Sequence, residues 1–452
     1  MLFLFTDDQR FNTINALGNE DINTPNMDTL VEEGVSFTNA HIMGGSCPAV
    51  CMPSRAMMLT GRNLFDIEGH GENIPKEHKT IPETFHDNGY DTFGTGKWHN
   101  GTDSYTRSFS SGSKVFFGGM DDHWNVPVCD YHPEGEYPSP KPDRFDPGTG
   151  EIKTVNKIFQ RHETGTHSTE LFVNATIDFL KKQGGKPFFA YASFMAPHDP
   201  RNMPRKYLEM YEAEALELPE NFLPRHPFDN GELLIRDEKL ANLPRKPEEI
   251  KRHLADYYAM ITHIDAEIGR LFDFLKDKGR FENTIIILAG DNGLALGQHG
   301  LMGKQNLYDH SVRVPLIFRG PGIPEGERFD TLCYLYDIYP TLCEAAGLPV
   351  PDTVNGRSLL PLIRGEETFS RKAILCAYKN LQRSIKTEGY KLIEYSVGGS
   401  RHTQLFDLGN DPGEINDLST FPKYEDKVRQ MKHKLYRLQK VLGDPDREDF
   451  IW

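Results

Sequence analysis

Two pairs of oxygen donors stand where apolar runs of the chain stop. Asp7 and Asp8 follow LFLFT, and Asp291 and Asn292 follow TIIILAG. Adjacent carboxylates at a strand end are costly unless something positive neutralises them. Together the pairs offer four oxygen ligands, a set that suits a hard divalent cation such as Ca²⁺ or Mg²⁺. Each pair alone also reads as ordinary turn chemistry, with Asp7-Asp8 capping a following helix and Asp291-Asn292-Gly293 forming a turn. Their coincidence with other groups favours the metal. His198 follows PFFAYASFMAP, and Lys97 and His99 follow YDTFGTG. Ligands of open α/β sheets bind beyond the carboxyl ends of strands, where all these residues fall.

A further reactive candidate lies in GGSCPAVCMPSRAMMLTGR, residues 44–62. SRAMMLTGR has helical composition, and Pro53 suits the first helical position. Cys51 then sits at a helix N-terminus, where backbone N–H groups favour anions and lower a thiol pKa. Arg55, one turn on, can point back at the same anion. The plain alternative is a small buried hydrophobe. A zinc site from Cys47 and Cys51 lacks a second pair at matching spacing. Six cysteines in 452 residues are too sparse for a disulfide scaffold.

The elements that must position these groups are visible as apolar runs. LFLF (2–5), PFFAYASF (187–194), TIIILA (284–289) and VPLIFR (314–319) read as buried parallel strands. Between them, Ile250, Leu254, Tyr257, Ile261, Ile264, Ile268, Leu271 and Leu275 mark a helix over 248–278 that Gly279 stops. A second helix spans 168–183. Strands alternating with helices predict an α/β sheet covered on both faces. Residues 100–165 and 200–247 break the rhythm and read as long excursions over one edge of the sheet. After residue 365 the texture becomes antiparallel: RSIKTEGYKLIEYS and TQLFDL read as strands, followed by a helix around 423–442. The expected division is 1–365 and a smaller unit, 366–452.

With 38 % hydrophobic and 26 % charged residues the chain reads as a folded globular protein. A formal net charge of −15 argues against a nucleic-acid or anionic-membrane partner, yet leaves room for a local cationic pocket. No apolar run approaches the roughly 18 residues of a membrane span, and no signal peptide is visible. A chain that opens on a core strand is expected to have lost upstream residues. The compartment is therefore periplasmic or secreted if a signal was removed, and cytoplasmic otherwise.

C-x-P-S-R followed by AMMLTGR resembles the signature of the type I, formylglycine-dependent, sulfatases, with Cys51 at the position of the modified cysteine. The similarity continues in order through FTDDQR, NTPNMDTLVEEGVSFTNAH, GYDTFGTGKWH, APHDP, LAGDNGLALGQHG, GKQNLYDHSVRVPLIFRGPG, LYDIYPTLCEAAGL and LFDLGNDPGEINDL. The inserts at 100–165 and 200–247 lie outside it. The resemblance implies an alkaline-phosphatase-like α/β fold. Its large, mixed, mostly parallel sheet lies between helices, and a small C-terminal α+β domain carries an antiparallel sheet.

It further implies one Ca²⁺, with Mg²⁺ the alternative, held by Asp7, Asp8, Asp291, Asn292 and an oxygen of modified Cys51. Formylglycine made from Cys51 would react as its hydrate: one metal-bound hydroxyl attacks sulfur, and the second expels sulfate. Arg55, Lys97 and Lys304 are the expected cations around the sulfuryl group, and His99 is the expected base for the elimination. His198 with Lys304 is expected at the bridging oxygen. His299, Asp199 and Arg201 stand close by in sequence as possible lining. A formylglycine-generating enzyme is the implied maturation partner. The substrate read from this is a small anionic ester, a sulfated carbohydrate. A phosphonate or phosphate ester hydrolase and a catalytically silent sulfated-glycan-binding protein are the competing readings.

Overall fold

The computed structural model describes residues 1–139, 143–146, 151–154, 157–366 and 371–450. Parts of the 100–165 insert and residues 367–370, just after the expected 365/366 division, lie outside them. In chain order the strands that build the site are β1 (Leu2–Thr6), β2 (Gly34–Phe37), β3 (Gly44–Gly45), β4 (Asp91–Lys97), β5 (Ser111–Phe116) and β6 (Phe188–Ser193). They continue with β7 (Ile286–Gly290), β8 (Leu316–Arg319), β9 (Glu327–Phe329), β10 (Ala373–Tyr378), β11 (Gln382–Thr387), β12 (Tyr390–Val397) and β13 (Ser400–Asp407).

Eight of them form the central sheet, in the order β9-β2-β8-β7-β1-β6-β4-β5. All are parallel except β8, which runs against both β7 and β2. The expectation that VPLIFR is a parallel strand is thus corrected. Its apolar run reports burial on both faces and not direction. The chain leaves β7 at its carboxyl end, stays there through residues 291–315, and re-enters the sheet from the same side.

Along β1 the side chains alternate between two cores. Phe3 and Phe5 pack on one side and Leu2 and Leu4 on the other, all at most 1 % exposed. The first face takes helix α1 (Cys51–Thr60), buried on nearly every position. The second takes α2 (Ser168–Lys182) and α3 (Pro247–Asp277), whose apolar stripe is the one the sequence marks.

The 100–165 insert is not wholly an excursion. Its β5 is the edge strand of the central sheet, bonded to β4. SGSKVF is half polar because an edge strand is only partly covered. Residues 200–247 hold only short helical turns, at Arg205–Leu208, Ala213–Ala215 and Asp237–Leu240.

The second sheet has the order β13-β12-β11-β10-β3 and is backed by α4 (Glu425–Leu442). Four of its strands are C-terminal and antiparallel. The fifth, β3, comes from the segment just ahead of Cys51 and pairs parallel with Ala377 and Tyr378. Among the described residues no helix is long and apolar enough to cross a membrane, and all six cysteines are free thiols.

Candidate active site

Strands β7, β1, β6 and β4 are consecutive and parallel in the sheet, so their carboxyl ends open side by side. Each donates site residues: Asp291 and Asn292 from β7, Asp7 and Asp8 from β1, His198 from β6, Lys97 and His99 from β4. Consecutive strand residues normally point to opposite faces. Asp8 escapes this by adopting a left-handed conformation, φ 65°, which aspartate tolerates better than most residues. Gly96 does a similar service for Lys97. It sits at φ 84° where a Cβ would lie 1.7 Å from the Ser193 carbonyl oxygen, beside an irregularity in the β4–β5 register.

The acidic and basic groups interlock. Lys97 Nζ donates to Asp7 Oδ2 at 2.5 Å and lies 3.4 Å from Cys51 Sγ. Lys304 Nζ donates to Asp8 Oδ1 at 2.6 Å, and the Asp8 amide donates to Asp291 Oδ1 at 2.9 Å. Arg55 is fully buried. Its Nε donates to Asp291 Oδ2 at 2.8 Å, and its Nη1 donates to Ser193 Oγ at 2.6 Å and to the Lys97 carbonyl at 3.0 Å. Arg55 therefore sits behind the carboxylates and fixes Asp291. Burial would raise the pKa of Asp7, but Lys97, His198 and Arg55 hold it well below the carboxylate range. Burial, then the charge on Asp7, push Asp291 up to about 7. Burial opposes the charges on Lys97 and Lys304, yet Asp7 and Asp8 respectively keep both above the ordinary lysine value.

Helix α1 begins at Cys51 itself, so Pro53 is its third residue and not its first. A proline there still removes only an N–H that has no partner within the helix. The expected lowering of the Cys51 thiol pKa is also corrected. Burial pushes it up to about 11; Lys97 and Lys304 offset this in part, and Asp7 and Asp291 add to it. At 2 % exposure the sulfur is a protonated thiol near neutral pH, whatever the helix N-terminus contributes.

His99 lies with Nδ1 3.4 Å from Cys51 Sγ, in a left-handed conformation at φ 69°. Burial and then Lys97 and Arg55 hold its imidazole neutral, with a pKa well below the usual histidine value. His198 donates Nδ1–H to the Asp199 carbonyl at 2.8 Å, an assignment that follows from the acceptor. Its Nε2 therefore faces Asp8 Oδ2, at 3.7 Å. His123 holds the His198 backbone in turn, Nε2 to the carbonyl at 3.1 Å. His299 is not part of this cluster. Its ring stacks on Tyr308 with centroids 3.8 Å apart, and it is bonded to Asn221. Arg201 meets His253 at 3.0 Å.

Several neighbours carried no sequence signal. From the 200–247 insert, Arg236 grips the Asp199 carboxylate with both amino groups, one contact at 2.9 Å, while 45 % of its side chain stays exposed. Burial would raise the pKa of Asp237, but Lys304, Gln305 and His198 hold it below the ordinary value. Gln305 Nε2 ties Asp237 to the Pro48 carbonyl, 2.7 Å to each. Ser54 Oγ donates to the Asp291 carbonyl at 2.5 Å.

A divalent cation fits this donor set. Ligand atoms of Asp7, Cys51 and Asp291 lie within 4.8 Å of one another. Asp7 Oδ1 and Asn292 Oδ1 are buried acceptors with no hydrogen-bond donor. Asn292 meanwhile turns its amide nitrogen to Asp8 Oδ1 at 2.6 Å. Partnerless acceptor oxygens beside a carboxylate pushed towards protonation mark a place where positive charge belongs.

The sulfatase family profile matches residues 1–348, and the profile for the C-terminal region of N-sulphoglucosamine sulphohydrolase matches residues 297–441. An arylsulfatase of Clostridium perfringens is 30 % identical across 97 % of this chain and 93 % of its own length. An N-acetylglucosamine-6-O-sulfatase of Bacteroides thetaiotaomicron is 26 % identical across 100 % of this chain and 88 % of its own. Among solved structures, a protein in complex with its substrate D-glucosamine-2-N,6-O-disulfate superposes with a TM-score of 0.77 at 23 % identity, over 99 % of both chains. The phosphonate monoester hydrolase of Agrobacterium radiobacter superposes at 0.74 with 21 % identity, over 98 % of this chain and 95 % of that one. These likenesses agree with the alkaline-phosphatase-like α/β architecture.

Proposed function

The chain belongs to the sulfatase family and hydrolyses sulfate esters, and from that premise we propose a sulfated saccharide as substrate and formylglycine at position 51. The observation that carries the reading is the convergence of Asp7, Cys51 and Asp291 at one point between Lys97, Lys304, His99 and His198. A saccharide is supported by the names of the relatives and by the mouth of the site. There Arg236, paired to Asp199 and with 45 % of its side chain exposed, offers a charged group to a polyhydroxylated ring.

When bound, a divalent cation (Ca²⁺, or Mg²⁺ as the alternative) held by Asp7, Asp8, Asp291 and Asn292 supplies Lewis acidity and positive charge to the reacting oxygens. Formylglycine supplies a hydroxyl nucleophile where the unmodified chain offers only a protonated thiol. Arg55 positions Asp291 through Nε, and its Nη2, buried beside Asp7 without a hydrogen-bond partner, adds positive charge to the centre. Lys97, between Asp7 and Cys51, places a fixed positive charge where sulfuryl oxygens gather. His99, neutral and aimed at position 51, accepts the proton released there. His198 Nε2 and the Lys304 ammonium converge on Asp8, from where they reach the bridging oxygen and protonate the departing alcohol. Maturation by a formylglycine-generating enzyme is part of the reading. Because Cys51 and Arg55 are 2 % and 0 % exposed, that step precedes packing of α1.

The test is release of sulfate from 6-O-sulfated N-acetylglucosamine, run beside a phosphonate monoester. The mass of the Cys51 peptide is read in parallel, with a loss of about 18 Da expected on modification. Sulfate release with a modified peptide is expected. Turnover of the phosphonate alone, or full activity with an intact thiol, overturns the reading.

A further inference from the structure

A cavity whose lining includes none of the site residues opens between α4 and the segments around Tyr334 and Asn355. It encloses about 480 Å³, within the size range of small-ligand sites. One wall is a preassembled stack: Tyr334 and Tyr336 lie 4.7 Å apart at 20°, and the Arg371 guanidinium sits 4.9 and 5.7 Å from their centroids. Asp337 binds both amino groups of Arg371. Its charge is therefore already matched and does not neutralise the rim.

That rim is Arg357, Lys372, Lys434 and Arg437. Among the described residues none of the four makes an ion pair, and no carboxylate lines the cavity. In a chain with 66 acidic and 51 basic residues, such segregation of one sign is not the average surface. Helix α4 explains how it arises. Lys434 and Leu438, like Arg437 and Val441, are four residues apart and share one face. Met431 and Leu435 on the other side bury into the second sheet. Each cation thus stands one turn from an aliphatic side chain, and Val441 is left 78 % exposed.

We propose that this cavity is a non-catalytic binding site for a sulfated oligosaccharide, with the cations taking sulfate groups and Leu438, Val441 and Leu442 taking apolar ring faces. Cations that repel one another around a hollow of ligand size are relieved together by one multivalent anion. A long nucleic acid is disfavoured by the overall charge of −15. An anionic bilayer is disfavoured by the concavity, since only Val441 projects from it. Choosing sulfate over another anion rests on the sulfatase reading; the cavity itself does not.

The experiment uses the full-length Cys51→Ser protein, which binds without turnover, titrated calorimetrically with a heparin-derived tetrasaccharide and its desulfated counterpart. Lys434→Glu/Arg437→Glu in that background is expected to weaken binding at least tenfold, and Lys434→Gln/Arg437→Gln by an intermediate factor. Unchanged thermal unfolding shows that the variants fold. With Cys51 intact, the charge-reversed variant keeps kcat/KM on a sulfated monosaccharide within twofold. Equal affinity of all variants, equal affinity for the desulfated chain, or preference for phosphatidylserine vesicles over the tetrasaccharide overturns the proposal. Failure of the sulfatase reading shows separately, as no sulfate release by the unmutated enzyme.

Discussion

Replacing His198 by alanine separates leaving-group protonation from every other role in the site. The ring is 7 % exposed, fixed by its Nδ1–H bond to the Asp199 carbonyl, and presents Nε2 beside Asp8 and Lys304. A sugar alkoxide is a poor leaving group and needs a proton as the S–O bond breaks, whereas a nitrophenolate departs without one. General-acid assistance contributes about 10²–10⁴ in rate, or about 3–5.5 kcal/mol of barrier. His198→Ala is therefore expected to lower kcat/KM on a sugar sulfate by about 10²–10⁴, and on 4-nitrophenyl sulfate by less than about tenfold. The lost hydrogen bond costs about 1 kcal/mol of stability, too little to unfold a chain of this size. The assay is kcat/KM for both esters, with urea unfolding as the control for folding. Equal losses on the two esters would refute the assignment, because a purely positional histidine does not discriminate leaving groups.

Three further outcomes are expected. Burial with Lys97 and Arg55 holds the His99 pKa well below the usual histidine value, so the neutral base persists as the pH falls; the acid limb of kcat against pH should lie below pH 6.5, and a midpoint at or above that value would contradict the role. Chelation should lower both activity and melting temperature, since the orphaned Asp7 Oδ1 and Asn292 Oδ1 lose their cation; differential scanning fluorimetry with Ca²⁺ and Mg²⁺ added back ranks the ions, and Asp7→Asn should abolish the response. Glu394, fully buried and 3.3 Å from Lys432, is pushed by burial up to about 7 from 4.5. Its folded pKa is raised, so the stability it contributes is complete below pH 4.5 and lost as the pH rises through about 7. The loss is about 3 kcal/mol at most; Glu394→Gln should remove that slope in urea melts at pH 5 and pH 8.

What could be read from the sequence was whatever apolar runs and their ends encode. Asp7, Asp8, Asp291, Asn292, Lys97, His99 and His198 follow strands covered on both faces, so their common edge followed from pattern alone. Strand direction did not, because VPLIFR is equally apolar whichever way it runs. The edge strand β5 escaped because partial cover leaves it half polar. The thiol of Cys51 was misjudged because helix position is local and legible, while desolvation and the carboxylates of Asp7 and Asp291 arrive from other strands. Arg236 and Asp237 had no periodic pattern to mark them. Their placement depends on tertiary partners, Asp199 and Gln305, that only the folded chain brings near.

Gly44 and Gly45, ahead of Cys51, are likewise placed by a tertiary partner. A Cβ on Gly44 would lie 2.0 Å from the Ala377 carbonyl oxygen, and its φ is 95°, so only glycine lets the chain run this close to β10. That approach makes β3 a strand of the C-terminal sheet and fixes the path of the chain six residues before the reactive position. A second tie acts on the loop that carries Lys304. Asp309 receives Lys386 at 2.6 Å and Lys391 at 2.9 Å, both from the C-terminal sheet, and all three are buried. Removing one member of such a buried set leaves uncompensated charge, at a cost of about 3–5 kcal/mol. Residues 371–450 therefore do more than complete the fold: three of their strands, β10, β11 and β12, hold the segments that carry Cys51 and Lys304. The sheet edge places Asp7, Asp8, Asp291, Asn292, Lys97, His99 and His198 by topology, whereas the positions of Cys51 and Lys304 depend on a unit that contributes no side chain to the cluster.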